Sequence, residues 1–265
     1  MAGHRARKRF GQHFLADPGV IDDIIRAIHP TEDDVIVEIG PGRGAITDTL
    51  ARSAGHLHAV ELDRDLVARL RRQYNDNPNV TVHEADALQF DFSALGEQIR
   101  VVGNLPYNIS TPLLFHLLKY RDNIIDMHFM LQKEVVARMA ASPGTKAYGR
   151  LGIMLGCHLS VEPLFDVDRQ AFTPPPDVMS AVVRMDPLPP GTYEIADEPG
   201  LSTLVATAFM QRRKTIRNSL KKVVEPADFE AVGIDGGVRP EQVSIADYVR
   251  LSNHLWQKSR CLLYT

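Results

Sequence analysis

Four consecutive residues, Asn104, Leu105, Pro106 and Tyr107, bring together an amide side chain, a proline that donates no N–H and a flat phenol ring. Two carbonyl acceptors beside a stacking face suit an amino group on a planar heterocycle, and the exocyclic amine of adenine is such a group. It presents two N–H donors in the ring plane, while its lone pair is delocalised into the ring. Hydrogen bonds to two acceptors pull it towards tetrahedral geometry and localise that pair for attack on an electrophilic methyl group. Stacking of the base on Tyr107 adds about 1–3 kcal/mol. The competing reading is an ordinary turn made of Asn and Pro, and the surrounding elements decide between the two.

Ile99 to Val102 is a short β-branched run, and Ser110-Thr111-Pro112 reads as a helix start, with Ser110 or Thr111 as cap and Pro112 in the first turn. The tetrapeptide thus sits where a buried strand hands over to a helix, the edge at which open α/β sheets bind ligands. Three more strands end in plausible ligand groups. Val35 to Ile39 runs into Gly40-Pro41-Gly42-Arg43-Gly44, and residues 45–53 read as the following helix. The glycines let backbone approach a ligand without a Cβ in the way. Leu57 to Val60 ends in Glu61, about twenty residues after Gly40, where an acidic side chain accepts both hydroxyls of a ribose. Val80 to Glu84 is followed by Asp86, suited to an adenine amino group. The turn departs from G-x-G-x-x-G and contains Pro41, which favours a cofactor without pyrophosphate.

The remaining segments frame this edge. Asp17-Pro18 starts a helix with an apolar stripe of Val20, Ile21, Ile24, Ile25 and Ile28, closed by His29-Pro30. Ile124 to Leu131 and Ser180 to Met185 are strand-like, and helical segments follow Gln132 and Tyr148. The stiff loop from Phe172 to Val178 connects elements and could wall the target pocket, with Phe172 as a second stacking face opposite Tyr107. Pro187, Pro189, Pro190 and Gly191 mark a boundary, giving an expected division into residues 1–190 and a helical domain, 191–265. In the latter, Leu201 to Phe209 is an apolar helix face. Gln211 to Arg217 reads as its continuation, with Arg212, Arg213, Lys214 and Arg217 on a basic face joined by Lys221 and Lys222.

The 265 residues are 44% hydrophobic and 24% charged, as in a soluble globular protein. No apolar run approaches a membrane span, and the basic N-terminus lacks the apolar core of a signal peptide. Cys157 and Cys261 form neither a metal-spacing pair nor a disulfide framework, which favours a reducing cytoplasm and no metal. A net charge of −3 argues mildly against nucleic acid. The positive charge is concentrated, however, in the N-terminal arm (Arg5, Arg7, Lys8, Arg9) and around Arg212 to Lys222, and both clusters read as phosphate contacts.

On Arg9 to Leu15, Glu38 to Gly42, Asn104 to Ser110, Phe172 to Ser180 and Arg212 to Asn218, the chain resembles the ribosomal RNA adenine N6-dimethyltransferases, in particular the small-subunit, KsgA-type branch. The resemblance runs from Lys8 to Trp256. It implies a Rossmann-like class I methyltransferase fold, with a seven-stranded mostly parallel sheet containing one reversed strand and a small all-helical C-terminal domain. It also implies S-adenosyl-L-methionine as methyl donor without a metal. By motif, His13 and Leu15 line the cofactor site, Gly40 lies under the methionine moiety, Glu61 holds the ribose and Asp86 reads the adenine. Asn104, also among the implied cofactor-binding residues, meets the target amine within the catalytic stretch Asn104 to Tyr107. Many members carry Asn where this chain has His13. The implied reaction is N6,N6-dimethylation of two adjacent adenosines near the 3′ end of 16S RNA in the small ribosomal subunit, late in assembly, by a monomer. The rivals are a large-subunit dimethyltransferase of the antibiotic-resistance type, a DNA amino-methylating enzyme and a non-catalytic assembly or transcription factor on the same fold.

Overall fold

The computed structural model describes residues 13–262, which fall into two compact units. Residues up to Val136, with Val161–Pro187, form the first; Ala137–Ser160, with residues from Leu188 onwards, form the second.

The first unit is built on β1 (Phe14–Leu15), β2 (Val35–Ile39), β3 (His56–Glu61), β4 (Val80–Glu84), β5 (Ile99–Asn104), β6 (Ile124–Gln132), β7 (Leu159–Val167), β8 (Phe172–Thr173) and β9 (Ser180–Pro187). Seven of them form one sheet in the order β4-β3-β2-β5-β6-β9-β7, while β1 and β8 pair separately. Strands β4, β3, β2, β5 and β6 are parallel neighbours, and β9 runs antiparallel to β6. The order reverses beside β2, between β3 and β5, so the strand ends there open a crevice.

Central strands covered on both faces must be apolar throughout, which is why Ile36, Val37 and Ile39 of β2 and Val101 and Val102 of β5 are buried. The helices of this unit are α1 (Pro18–Ile28), α2 (Thr47–Ser53), α3 (Arg64–Gln73) and α4 (Ser110–Leu117). Helix α1 begins as its sequence requires: Val20 N–H donates to Asp17 Oδ1 (3.0 Å), and Pro18 occupies the first turn. His29, in the left-handed region at φ 49°, ends it. Ile24 and Ile28 then pack with Leu15, Ile36, Val102, Met130 and Val182 in the core.

Helix α4 departs from expectation. Ser110 is its first residue rather than an accepting cap, and its hydroxyl donates to the Tyr107 carbonyl (3.1 Å). Strand β7 was not foreseen from its residues. Pro163 lies within it and nearly half of it is exposed, both tolerated at a sheet edge.

The second unit contains α6 (Arg150–Gly156), α7 (Glu198–Met210), α8 (Ile216–Leu220), α9 (Pro226–Ala231) and α10 (Ile245–Leu262); α5 (Lys133–Met139) straddles the boundary between units. The expected contiguous division at residue 190 is therefore corrected. Tyr148, Ile153, Met154 and Cys157 belong to the core formed by Leu201, Val205, Ile216, Leu220, Phe229 and Tyr248. The phenols of Tyr148 and Tyr248 donate to the carbonyls of Val243 and Pro240 (3.0 and 2.9 Å), satisfying both hydroxyls inside that core.

The continuous basic helix is also corrected. Helix α7 stops at Met210, residues 211–214 form a turn, and Thr215 caps α8 by accepting from Asn218 N–H (3.4 Å). The break lets Ile216 reach the core, with its N–H donating to Val238 O (2.7 Å). Among the described residues, no helix is long and apolar enough to cross a membrane.

Candidate active site

The turn after β2 is the floor of the site. Gly40, Gly42 and Gly44 take φ of 67°, 58° and 87°, a region that costs other residues strain. A Cβ on Gly42 would lie 3.4 Å from the Phe14 ring, so the turn also packs closely. The Gly40 N–H donates to Val60 O (2.9 Å), tying the turn to the end of β3, where Glu61 sits.

Glu61 is 8% exposed, and backbone donors hold its carboxylate. Leu62 and Asp63 N–H donate to Oε1 (both 2.9 Å), and Gly42 N–H donates to Oε2 (3.2 Å). Burial raises its pKa, and these three bonds oppose the shift. The carboxylate is thus fixed in place, with acceptor capacity remaining on Oε2. At the end of β4, Asp86 accepts from Leu88 N–H (2.9 Å) and from Gln89 Nε2 (3.3 Å).

The end of β5 lies against the floor. A Cβ on Gly103 would come within 2.5 Å of Ile39 O, so only glycine brings the two strand ends this close. The next residue, Asn104, donates from Nδ2 to His13 O (3.2 Å). That bond fixes the amide and leaves Oδ1 as its acceptor. Leu105 N–H donates to Met130 O (3.2 Å), and the side chain is 1% exposed, so Leu105 contributes to the site through its main chain. The Pro106 carbonyl already accepts from Ile109 N–H (3.1 Å). Among the described residues no donor reaches the Leu105 carbonyl, which makes it, rather than that of Pro106, the second free acceptor.

Tyr107 is half-buried, which raises its pKa, and its hydroxyl shares a 2.7 Å bond with Ser180 Oγ. Its ring stacks with that of His13, centroids 6.1 Å apart and planes at 24°.

One cavity of the first unit is lined by His13, Leu15, Gly40, Glu61, Asp86, Asn104, Leu105, Pro106 and Tyr107 together. Phe172 is not among them. It is 3% exposed and packs with Leu15, Val167 and Val182, because β8 pairs with β1 in a register that sets Phe172 against Leu15 in the core. No ring face is left for a base, and the expected second stacking wall is withdrawn. Two lining residues add chemistry that sequence reasoning did not assign. Glu38 is fully buried, its pKa is pushed up to about 8 by burial and by the Glu61 and Asp48 carboxylates, and its Oε2 has no hydrogen-bond partner among the described residues. His128, also buried, has no hydrogen-bond partner at either ring nitrogen among them, although Nδ1 lies 3.7 Å from Asp126 Oδ1. Ser180, which anchors Tyr107, was legible only as the start of a strand.

The basic residues divide. Arg5, Arg7, Lys8 and Arg9 lie outside the described residues. Arg212 is partly engaged, 3.6 Å from the Glu241 carboxylate and donating to Thr145 O (3.3 Å). Arg213, Lys214, Arg217, Lys221 and Lys222 are exposed on or beside the turn that joins α7 to α8 and the turn that follows α8. No group of three or more His, Cys, Asp or Glu residues able to hold a metal ion occurs among the described residues.

The assembled chemistry is a cradle for a nucleoside-like group beside two carbonyl acceptors and an aromatic ring. The family described as ribosomal RNA adenine dimethylase matches residues 3–257. Ribosomal RNA small subunit methyltransferase A of Aromatoleum aromaticum is 56% identical over 259 residues, covering 98% of this chain and 97% of that protein. The protein of the same name from Alcanivorax borkumensis is 56% identical over 256 residues, covering 96% and 91%. Among solved structures, a dimethyladenosine transferase from Plasmodium falciparum superposes with a TM-score of 0.81 at 26% identity, over 93% of this chain and 98% of that one. The 23S rRNA methyltransferase ErmE superposes at 0.73 and 27% identity, over 92% and 100%. A match over nearly the whole chain places this protein in the ribosomal RNA adenine dimethylase family.

Proposed function

We propose that the chain dimethylates N6 of two adjacent adenosines near the 3′ end of 16S RNA, using S-adenosyl-L-methionine, on the small ribosomal subunit in the cytoplasm. The observation that carries this reading is the locked Asn104 amide, with Oδ1 and the unbonded Leu105 carbonyl in the same cavity as Tyr107, Glu61 and Asp86.

The cavity fits the donor by its own chemistry. The positive-φ glycine turn accepts close approach, the anchored Glu61 suits ribose hydroxyls, Asp86 suits an adenine amino group, and the orphaned Glu38 Oε2 marks unmet polar capacity. Leu15 supplies apolar contact, and His13 borders the same space. When bound, the cofactor supplies an electrophilic methyl group on a sulfonium. The residues of the chain do the rest. Tyr107 stacks the extruded base. Asn104 Oδ1 and Leu105 O accept the two N–H bonds of the target amine and localise its lone pair. The methylated nitrogen is acidic and releases its proton to water, so no strong general base is required. The exposed cations of the second unit, with the N-terminal arm, bind RNA phosphates.

The test is incubation with labelled methyl donor and either unmethylated small subunits or naked large-subunit RNA, followed by mapping of the modified bases. Two adjacent dimethyladenosines in 16S RNA are expected. Label confined to large-subunit RNA would transfer the assignment to the resistance-type enzymes, and no label in either would leave a non-catalytic factor.

A further inference from the structure

We propose that Ser180 is a positioning residue that sets the product of the reaction: by holding the Tyr107 ring, it supports the second methyl transfer to each adenine more than the first. The inference rests on the methyl-transfer reading above and adds to it a residue that does not line the cavity.

Tyr107 lies in the turn between β5 and α4, so no strand pairing fixes its ring. Two buried serines hold the residue instead. Ser110 Oγ donates to its carbonyl (3.1 Å), and Ser180 Oγ shares a 2.7 Å bond with its hydroxyl. Ser180 is 0% exposed, and the Tyr107 hydroxyl is the one partner of its Oγ among the described residues. A buried hydroxyl without a partner is costly, so each of the two groups depends on the other.

Ser180 is itself fixed by register. It opens β9 opposite Gln132 of β6, and Met130 of the same strand lies opposite Asn104. Leu105 N–H also donates to Met130 O (3.2 Å). Strand β6 therefore refers both acceptors and, through Ser180, the stacking ring to one frame.

The consequence differs between the two transfers. In each, the N6 lone pair forms the new N–C bond, the methyl–sulfur bond breaks with its electron pair left on sulfur, and the nitrogen then sheds a proton to water. An unmethylated amine offers two N–H bonds, one to Asn104 Oδ1 and one to Leu105 O. After the first transfer a single N–H remains, so one acceptor has no partner and fewer directional bonds hold the base. Stacking on Tyr107 then carries a larger share of the orientation, and a ring free to swing costs the second transfer most.

The experiment uses the full chain with Ser180→Ala, Tyr107→Phe and the double variant. Each acts on unmethylated small subunits, and mono- and dimethyladenosine are counted over time by nucleoside mass spectrometry. In Ser180→Ala the first transfer is expected to slow by about threefold or less and the second by about ten- to hundredfold, so that monomethyladenosine accumulates. Tyr107→Phe keeps the ring but loses the same bond, and should give the same product. If both act through that bond, the double variant is no worse than either single one. In cofactor-free protein with labelled tyrosine, the Tyr107 ring signals, identified by their loss in Tyr107→Phe, should shift in Ser180→Ala. Equal slowing of the two transfers, multiplied losses in the double variant or unmoved Tyr107 signals would each overturn the proposal. Normal dimethylation by Ser180→Ala defeats the proposal alone, whereas no transfer by the wild-type protein defeats the functional reading as well. A melting midpoint near wild type is the control, and the double variant, which leaves no orphaned hydroxyl, answers if Ser180→Ala melts early.

Discussion

Asn104 has one amide, and its Nδ2 is committed to His13 O, which leaves Oδ1 as the acceptor that the proposed mechanism assigns to the incoming amine. An acceptor aimed in this way needs no reorganisation during reaction, and loss of one such polar contact costs about 10²–10³ in rate. Asn104→Ala is therefore expected to lower methyl transfer by at least about a hundredfold, with the circular dichroism spectrum unchanged. Glu61→Ala should abolish transfer for a different reason, since the proposed ribose contact is lost and three backbone donors lose their acceptor. Calorimetric titration separates the two: cofactor binding is lost in Glu61→Ala, and near-normal binding by that variant would break the assignment. Glu38 provides a test of stability. Its folded pKa of about 8 lies above the ordinary 4.5, so the unfolded chain loses this proton first as the pH rises. The buried carboxyl therefore disfavours the folded state increasingly between pH 4.5 and about 8. Glu38→Gln removes that dependence, and its gain in melting midpoint over wild type should be larger at about pH 8 than at about pH 5 in cofactor-free protein.

At the scale of elements, β3 and β4 carry a second titrating device on the sheet. His58 Nδ1 lies 3.0 Å from His83 Nε2, and the His56 ring lies tilted at 47° to that of His58 with centroids 4.5 Å apart. Burial, then the neighbouring imidazoles of His56 and His83, press the His58 pKa from 6.5 down to about 4, and burial lowers that of His83. Above pH 6.5 His58 is neutral in both folded and unfolded states and contributes nothing. Below it the unfolded chain takes the proton first, so stability falls until about pH 4. His58→Leu should flatten this acid limb, and denaturation midpoints measured across that window check it; equal slopes in both proteins would show that the histidine pair does not titrate in this way. Which elements were legible in the sequence follows the same physics. Strands β2, β3, β5, β6 and β9 are largely buried runs rich in apolar residues, and each shows as one, while the half-buried edge strand β4 shows by its β-branched Val80, Thr81 and Val82. Strand β7 is an edge with Pro163 and exposed positions, a pattern that local periodicity does not separate from a loop. Gln211 to Lys214 has good helix formers, yet burial of Ile216 forces a turn that propensity alone does not reveal. Phe172 misled because an aromatic in a Pro-rich loop reads as available, and only its register against Leu15 shows that it is core.

For the whole molecule, what the sequence concealed is that the second unit is discontinuous. The Pro-rich boundary after Pro187 is visible as composition, whereas the membership of Tyr148, Ile153 and Cys157 in the helical core depends on contacts distant in sequence. The charge distribution is legible from sequence but needs the structure to become a prediction. A chain of net charge −3 repels RNA on average, so affinity must come from local clusters. Of the second unit's cations, Arg212 is partly engaged by Glu241 and Thr145, and its reversal would disturb packing as well as binding. Arg213 and Lys214 are exposed and offer a cleaner test. Each phosphate contact releases counterions, and the slope of log affinity against log salt changes by about 0.7–0.9 per contact. Arg213→Glu with Lys214→Glu should therefore weaken binding of small-subunit RNA and make its salt dependence shallower by about 1.4–1.8, while cofactor affinity is unaffected. Filter binding across a salt series checks the slope. Weaker binding at an unchanged slope would mean that the turn joining α7 to α8 acts through folding and that the phosphates are met elsewhere on the protein.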